Sequence, residues 1–415
     1  MPSRSTPPFF GVPCASAGTG SQDLVIDLRN TGGGLDSQDS FSGVGGAVGV
    51  TGAPSGDNTV TATTTGVSGG VIQVSSSSAT ASQVVVTNLT VLGNAHLTAT
   101  NIYVQTDSIV SVSAASDGGG GGGISIGAGT TSTTGANYST LTIGTNAQLT
   151  ASDSILVRAN GNTTVTGRAV TGSWGLGAGA DSTSDVYLNY GIQTLVDGDL
   201  TAGNLLTVDS HAYANGDAYA YAKVLAVGGA VNTNSHVTVG TAGEESALTR
   251  TVIQGNADLL GKQAVVGAYV DKVRGNANAE NYMFAAGADC NAGAGSFITS
   301  LNEVQLLNGA SITGDEQVTI DSRYLQTSNY ARSKAELDAV GGDTDSNANV
   351  DVNTRAKVEG RWEAWLTTAR LDVNATEENF SSDSSAYRDG AWVDTGGRSE
   401  SDGPKNARRE IFWES

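Results

Sequence analysis

The chain has 415 residues, of which 56 are Gly, 6 are Pro, 6% are aromatic and 15% are charged, and its formal net charge is −20. So few large hydrophobes exclude a thick globular core and favour a thin one drawn out along an axis. The acidity excludes a general nucleic-acid binder, which needs a basic surface to displace counterions, and no run of eighteen apolar residues is present to span a membrane as a helix.

Residues 1–22 read as an irregular segment. Met1-Pro2-Ser3-Arg4-Ser5 and the following Thr6-Pro7-Pro8-Phe9-Phe10 lack the basic-then-apolar order of a secretion signal. The expectation is export by another route or a piece of a longer protein, and the abrupt end at Ile411-Phe412-Trp413-Glu414-Ser415 favours the piece. Cys14 and Cys290 lie far apart, and their spacing alone establishes no disulfide. Leu24-Val25-Ile26-Asp27-Leu28 predicts a first or capping strand. Residues 23–84, rich in Gly, Ser and Thr with strands near Val48 and Val71, read as degenerate coils or an N-terminal cap.

From residue 85 to about 375 one phrase recurs. It reads Asn94-Ala95-His96-Leu97-Thr98-Ala99, then Asn146-Ala147-Gln148-Leu149-Thr150-Ala151, then Gly198-Asp199-Leu200-Thr201-Ala202. It returns as Asn256-Ala257-Asp258-Leu259, Gly309-Ala310-Ser311-Ile312-Thr313 and Glu363-Ala364-Trp365-Leu366-Thr367. Self-similarity at a nearly fixed period marks a repeat architecture. Disorder is the competitor for a chain this polar and charged, but its apolar residues keep strand periodicity. After most anchors comes an apolar pair two residues apart, such as Ile155 and Val157 or Val318 and Ile320, which puts both side chains on one strand face. In the fourth copy Val265 is retained and Gly267 stands where the second apolar residue is expected. Alternating Ala, as in Ala218-Tyr219-Ala220-Tyr221-Ala222, suits a narrow interior, and glycines supply the bends.

The prediction is an all-β fold, a right-handed parallel β-helix (β-solenoid). Fifty-odd residues exceed the twenty to thirty of one ordinary coil, so two coils per repeat are expected. A toroidal propeller is the alternative, disfavoured by drifting unit length. Residues 376–415 read as a C-terminal cap or assembly segment, with Trp362, Trp365, Trp392 and Trp413 serving capping or subunit contact.

The Asn-Ala-x-Leu-Thr-Ala phrase, its following strand and its Gly-turned, Ala-alternating strand pair resemble the repeats of large bacterial exoproteins of the filamentous-haemagglutinin-like and adhesin families. The resemblance covers roughly residues 85–400 and is one of repeat style. It implies a secreted or cell-surface rod of bacterial origin, acting in adhesion or self-association into filaments, with polysaccharide or a cell surface as further partners. The secretion domain that usually leads such proteins is not evident.

Asp343, Asp345, Asn347, Asn349 and Asp351 are the candidate metal ligands. Oxygen-bearing side chains at alternate positions can converge on calcium where the backbone curls, and calcium takes six to eight oxygens. The competing reading is a solvated turn between coils. Asp181-Ser182-Thr183-Ser184-Asp185 is a weaker acidic stretch. No catalytic residues are predicted: His96, His211 and His236 fall at unrelated phases of the repeat, and no Asp pair lies near a basic residue. Gly118 to Gly123 lacks the Lys-Ser/Thr ending of a phosphate loop and reads as a flexible loop. The Thr file Thr98, Thr150, Thr201, Thr313 and Thr367 reads as outward β-favouring residues in preference to an ice-binding array. Asn88, Asn137, Asn162, Asn374 and Asn379 match the glycosylation sequon by composition alone. A non-enzymatic structural or adhesive solenoid is the expected function, with a carbohydrate-binding or carbohydrate-cleaving β-helix as the alternative.

Overall fold

A computed structural model describes residues 24–30, 50–52, 59–93, 95–241, 243–391, 395–396, 399–402 and 405–413. It is a parallel β-solenoid, and among the described residues the only helical piece is the 3-10 turn Glu244–Ser246. The repeat phrase sets the register. Leu97 pairs with Leu149, Leu149 with Leu200, Leu200 with Leu259, Leu259 with Ile312, and Ile312 with Leu366. Each strand therefore lies beside the strand one whole repeat away. The expectation of two coils per repeat is corrected: each repeat is one wide coil. Two coils per repeat would pair a residue with one about half a repeat on, and the ladders do not.

The coils can be numbered in order: coil 1 (24–91), coil 2 (96–143), coil 3 (148–196), coil 4 (199–253), coil 5 (258–306), coil 6 (311–360) and coil 7 (365–413). Each of coils 2 to 6 is a flattened loop of two facing walls. In coil 2, Thr106 meets Ser139 at 2.8 Å and Ser108 donates to Asn137 at 2.6 Å, so the chain folds back on itself at Gly122 and Gly123. In coil 3, Thr171 bonds the Asp181 carbonyl at 3.0 Å and Ser182 the Ala169 carbonyl at 2.9 Å, placing the bend at Leu176. An outgoing wall thus runs from the leucine phrase to a glycine bend, and a returning wall runs back. Each wall is about twenty residues, roughly 65 Å at ~3.3 Å per residue.

The interior tapers, and the sequence explains why. Near the phrase, Leu149, Ile155, Leu188, Ile192 and Leu200 fill the space between the walls. Toward the bend the inward side chains shrink to Ala180, Ala222 and Ala339, which form a second apolar cluster with Met283 and Cys290. Between the clusters runs a polar belt in which Ser333 meets Ser346 at 2.7 Å and Ser235 bonds the Ala218 carbonyl at 2.9 Å. Buried hydroxyls need such partners, since an unpaired one costs about 1–3 kcal/mol. A second chain of hydroxyls links Tyr190 to Ser300 (2.6 Å) and Ser300 to Tyr324 (3.0 Å) across coils 3, 5 and 6.

Several local expectations change. Gly118 to Gly123 is no loop but part of the strand His96–Ile143, and it makes the glycine bend. The fourth copy keeps its apolar pair as Ala264 and Val266, in register with Leu206 and Val208; Val265 points outward. Leu24–Asn30 is the first strand, paired with Ile102 to Ser108, and Thr59–Val91 matches Ser111 to Ile143 with no register shift, so the described part of coil 1 repeats the walls of coil 2 with an insertion between Asn30 and Thr59. Within that insertion Val50–Gly52 pairs antiparallel with Leu89 to Val91 on the outer edge. Residues 1–22, Val48, Cys14 and Trp392 lie outside the described residues.

Candidate functional site

One dense polar constellation stands on the outgoing walls of coils 3 to 6, near the leucine phrase. Register puts Arg158, Asp209, Gly267 and Asp321 in one file and Asn160, His211, Tyr269 and Arg323 in the next. Arg158 grips Asp209 with both arms of its guanidinium, each at 2.6 Å, and Asp209 is only 2% exposed. Such a bidentate pair is among the stronger polar contacts. His211 Nδ1 lies 3.1 Å from Asp271 Oδ1, while Nε2 lies 3.5 Å from Asp209 Oδ2, an ion-pair contact longer than a hydrogen bond.

A β-bulge brings Asp271 there. Ala212 pairs with Val270 and Tyr213 with Lys272, so Asp271 is the extra residue on its strand. Gly267 leaves room for the Tyr269 ring, which would lie 2.3 Å from any Cβ at that position and has its centroid 4.8 Å from that of His211, tilted by 32°. Next in the file, Arg323 bridges Asp321 (2.5 Å) and Glu378 (2.9 Å).

Electrostatics follow from these contacts. Burial alone lowers the His211 pKa, but the Asp209 and Asp271 carboxylates outweigh it and raise the pKa to about 9. Burial pushes Asp209 upward, yet Arg158 and His211 hold it below the usual carboxylate range. Burial raises Asp321 despite Arg323. At neutral pH His211 is therefore a cation between two carboxylates and unsuited to act as a base. The constellation is an ion-pair staple across neighbouring coils. Sequence reading missed it because Asp271 is some sixty residues from its partner; only the Asp209-x-His211 spacing hinted at a shared face.

The predicted metal residues occupy the strand Gly342–Gly360. Asp343, Asp345, Asn347 and Asn349 are exposed and Asp351 half-buried, all on the outer face, with Thr344, Ser346, Ala348 and Val350 turned inward. Alternate strand positions sit roughly 6.6 Å apart, so the strand spreads these oxygens in a line and does not curl them around one point. The predicted curl is thus corrected to an extended strand. Among the described residues no three His, Cys, Asp or Glu side chains gather as a metal site. Instead each joins a file along the axis. Asn291, in register with Asp345, donates to Asn232 at 3.1 Å, and Asn232 donates to Asp181 at 2.9 Å.

Other predicted residues are dispersed. His96 sits at the phrase, and His236 is on a returning wall 3.2 Å from Asp185. Trp362 and Trp365 are exposed beside the last phrase. Asn137 is fully buried, where it bonds the carbonyls of Ser108 and Asn162, so its sequon faces no solvent. The Thr file is in register but interrupted by Leu260. Cys290 is buried, its thiol donates to Asn281 at 2.9 Å, and burial pushes its pKa to about 12. A shallow groove on the outgoing walls is lined by Tyr221, Lys223, Glu280, Tyr282, Lys334 and Glu336. Lys223 stands 5.3 Å over the Tyr282 ring there.

No family model, curated protein or solved structure matches this chain.

Proposed function

We propose that the chain is a non-enzymatic, extracellular structural or adhesive rod of a bacterial surface, and that its coils stack end on end into filaments. One observation carries this reading. Coil 7 holds inward Val373 and Phe380 in register with Ile320 and Thr327, yet both side chains are only partly covered. The described residues thus leave the apolar interior beside coil 7 only partly covered, next to a row of backbone groups suited to another strand. The opposite end is covered by Val50–Gly52 over Leu89 to Val91 alone among the described residues. Electron microscopy of the purified chain is expected to show rods with an axial spacing near ~4.8 Å. Dispersed particles at every concentration, unaltered by Phe380→Asp, would refute end-on stacking.

Calcium enters the proposal as a bridge between carboxylates on neighbouring coils, Asp289 and Asp343 being in register. A chelator is then expected to lower the melting temperature, and a melting curve indifferent to it removes calcium. The groove of tyrosines and lysines favours a second reading, polysaccharide binding, because tyrosine rings offer apolar faces beside polar tips. Tyr282→Ala is expected to weaken retention on a polysaccharide column; equal retention of both proteins excludes the groove.

A further inference from the structure

We propose that two copies of this chain pair side by side along the glycine bend, with their coil axes parallel. Interior positions at the bend carry small residues, but the outside does not. Coil 3 presents Trp174 and Leu176, coil 4 Leu225 and Val227, coil 5 Phe284 and coil 6 Val340, all exposed. Ile124 of coil 2 and Ile72 of coil 1 extend the same edge. The register makes it continuous: Gly121, Trp174, Leu225 and Phe284 form one file. The stripe runs about 24 Å along the axis at ~4.8 Å per coil.

These side chains belong to neither core cluster of the described residues, although Trp174 lies on Gly121. The core is built inside the walls, and a polar residue at any of these positions would serve a lone rod better. Taking roughly 150–250 Å² for an aromatic side chain and somewhat less for an aliphatic one, the exposed part amounts to on the order of 800 Å². An ordinary largest apolar patch measures about 300–600 Å², whereas a stable interface buries about 800 Å² per partner. Trp174 is already fixed: its indole lies against Gly121, where any Cβ would come within 1.9 Å of the ring. A held aromatic with rim neighbours is the usual anchor of an interface.

Charge selects the occupant and its orientation. Beside the stripe the outgoing walls carry Arg168, Lys223, Arg332 and Lys334, together with acidic residues. The returning walls, over 177–187, 228–238, 287–297 and 342–351, contain no Lys or Arg and carry Asp181, Asp185, Asp289, Asp343, Asp345 and Asp351. A two-fold axis along the solenoid sets each outgoing wall beside the other copy's returning wall, so cations meet the acidic side. A two-fold across the solenoid sets like wall beside like. In the parallel pair each coil meets its own counterpart across the bend, so Leu176 faces Leu176 and Ile124 faces Ile124. A second copy of this chain therefore supplies both the apolar stripe and the complementary charge.

This pairing is independent of end-on stacking, because it uses no residue of coil 7. Sedimentation velocity across a range of protein concentrations tests it. On a Phe380→Asp background, which blocks end-on stacking, the chain is expected to sediment as a dimer, and with Leu176→Asp and Val227→Asp added as a monomer whose melting temperature, with subunit exchange accounted for, reports an intact fold. Ile124→Cys is expected to give a disulfide-linked dimer on mild oxidation, because in the parallel pair this exposed residue faces itself across the bend. A Phe380→Asp chain that stays monomeric, whether or not it binds lipid vesicles, overturns the proposal. So does a double-Asp variant that remains dimeric. An Ile124→Cys dimer that does not cross-link overturns the parallel arrangement.

Discussion

Asp271 shows how much one residue owes to register. A single bulge lifts it out of the pairing between Val270 and Lys272 and sets it 3.1 Å from His211. Because the folded-state His211 pKa is about 9 against an ordinary value of 6.5, this histidine binds its proton more tightly when folded. Its contribution is full below about pH 6.5 and is lost as pH rises through about 9. His211→Gln is therefore expected to be less stable than wild type at pH 6, with the gap closing by about pH 9.5. A gap of constant size across a pH series of thermal melts would contradict the ion-pair account. The sequence held the ingredients in Asp209 and His211, but a local reading has no means of seeing which acidic residue lies one coil away.

At the scale of elements, the strand signal was legible wherever side chains alternate. Ala218, Ala220 and Ala222 are fully buried, as an inward file of small residues demands. The glycine bend was not legible, because a run of glycines carries no periodicity and suits a loop as well as a tight fold-back. Close approach is what fixes it: a Cβ at Gly229 would stand 1.7 Å from the Ala178 carbonyl oxygen of the preceding coil. That obstacle is backbone, so the coils must part to admit a methyl group. Gly229→Ala is expected to cost at least about 1–3 kcal/mol, the usual range for overpacking, measured by chemical denaturation. Unchanged stability would mean that the bend is looser than its geometry indicates. The same reasoning explains the acidic strand. Asp343 to Asp351 has the composition of a cation-binding turn, but pairing with Asp289 to Phe297 holds it extended.

For the whole molecule the decisive quantity is the length of one coil. The ladders join Leu149 to Leu97 on one side and to Leu200 on the other, so one coil is a complete repeat whose strands pair with the coils before and after it. Removing residues 149–199 takes out one coil and brings Gln148 up to Leu200, with the phrase and both walls still in phase. This deletion is expected to leave a cooperative melt and a strand-rich circular dichroism spectrum. Removing 149–174, half a coil, throws the walls out of phase and is expected to abolish folding. Equal tolerance of both deletions would indicate the smaller coil. Its acidity, with a net charge of −20, falls mainly on the outer faces, where axial files of Asn and Asp share hydrogen bonds between coils.

The sequence by itself determined that the chain repeats, that its apolar residues alternate as in strands, and that the leucine phrase stacks on itself. These are properties of spacing, and a period survives in one dimension. Tertiary structure alone decided the flattened cross-section, the bend at the glycines, the one-coil repeat and the ion pairs joining Arg158, Asp209, His211 and Asp271. Each depends on which residue lies across the coil or one coil along the axis. Such neighbours are set by the width of the interior and by single-residue bulges, and the order of residues along the chain does not record either.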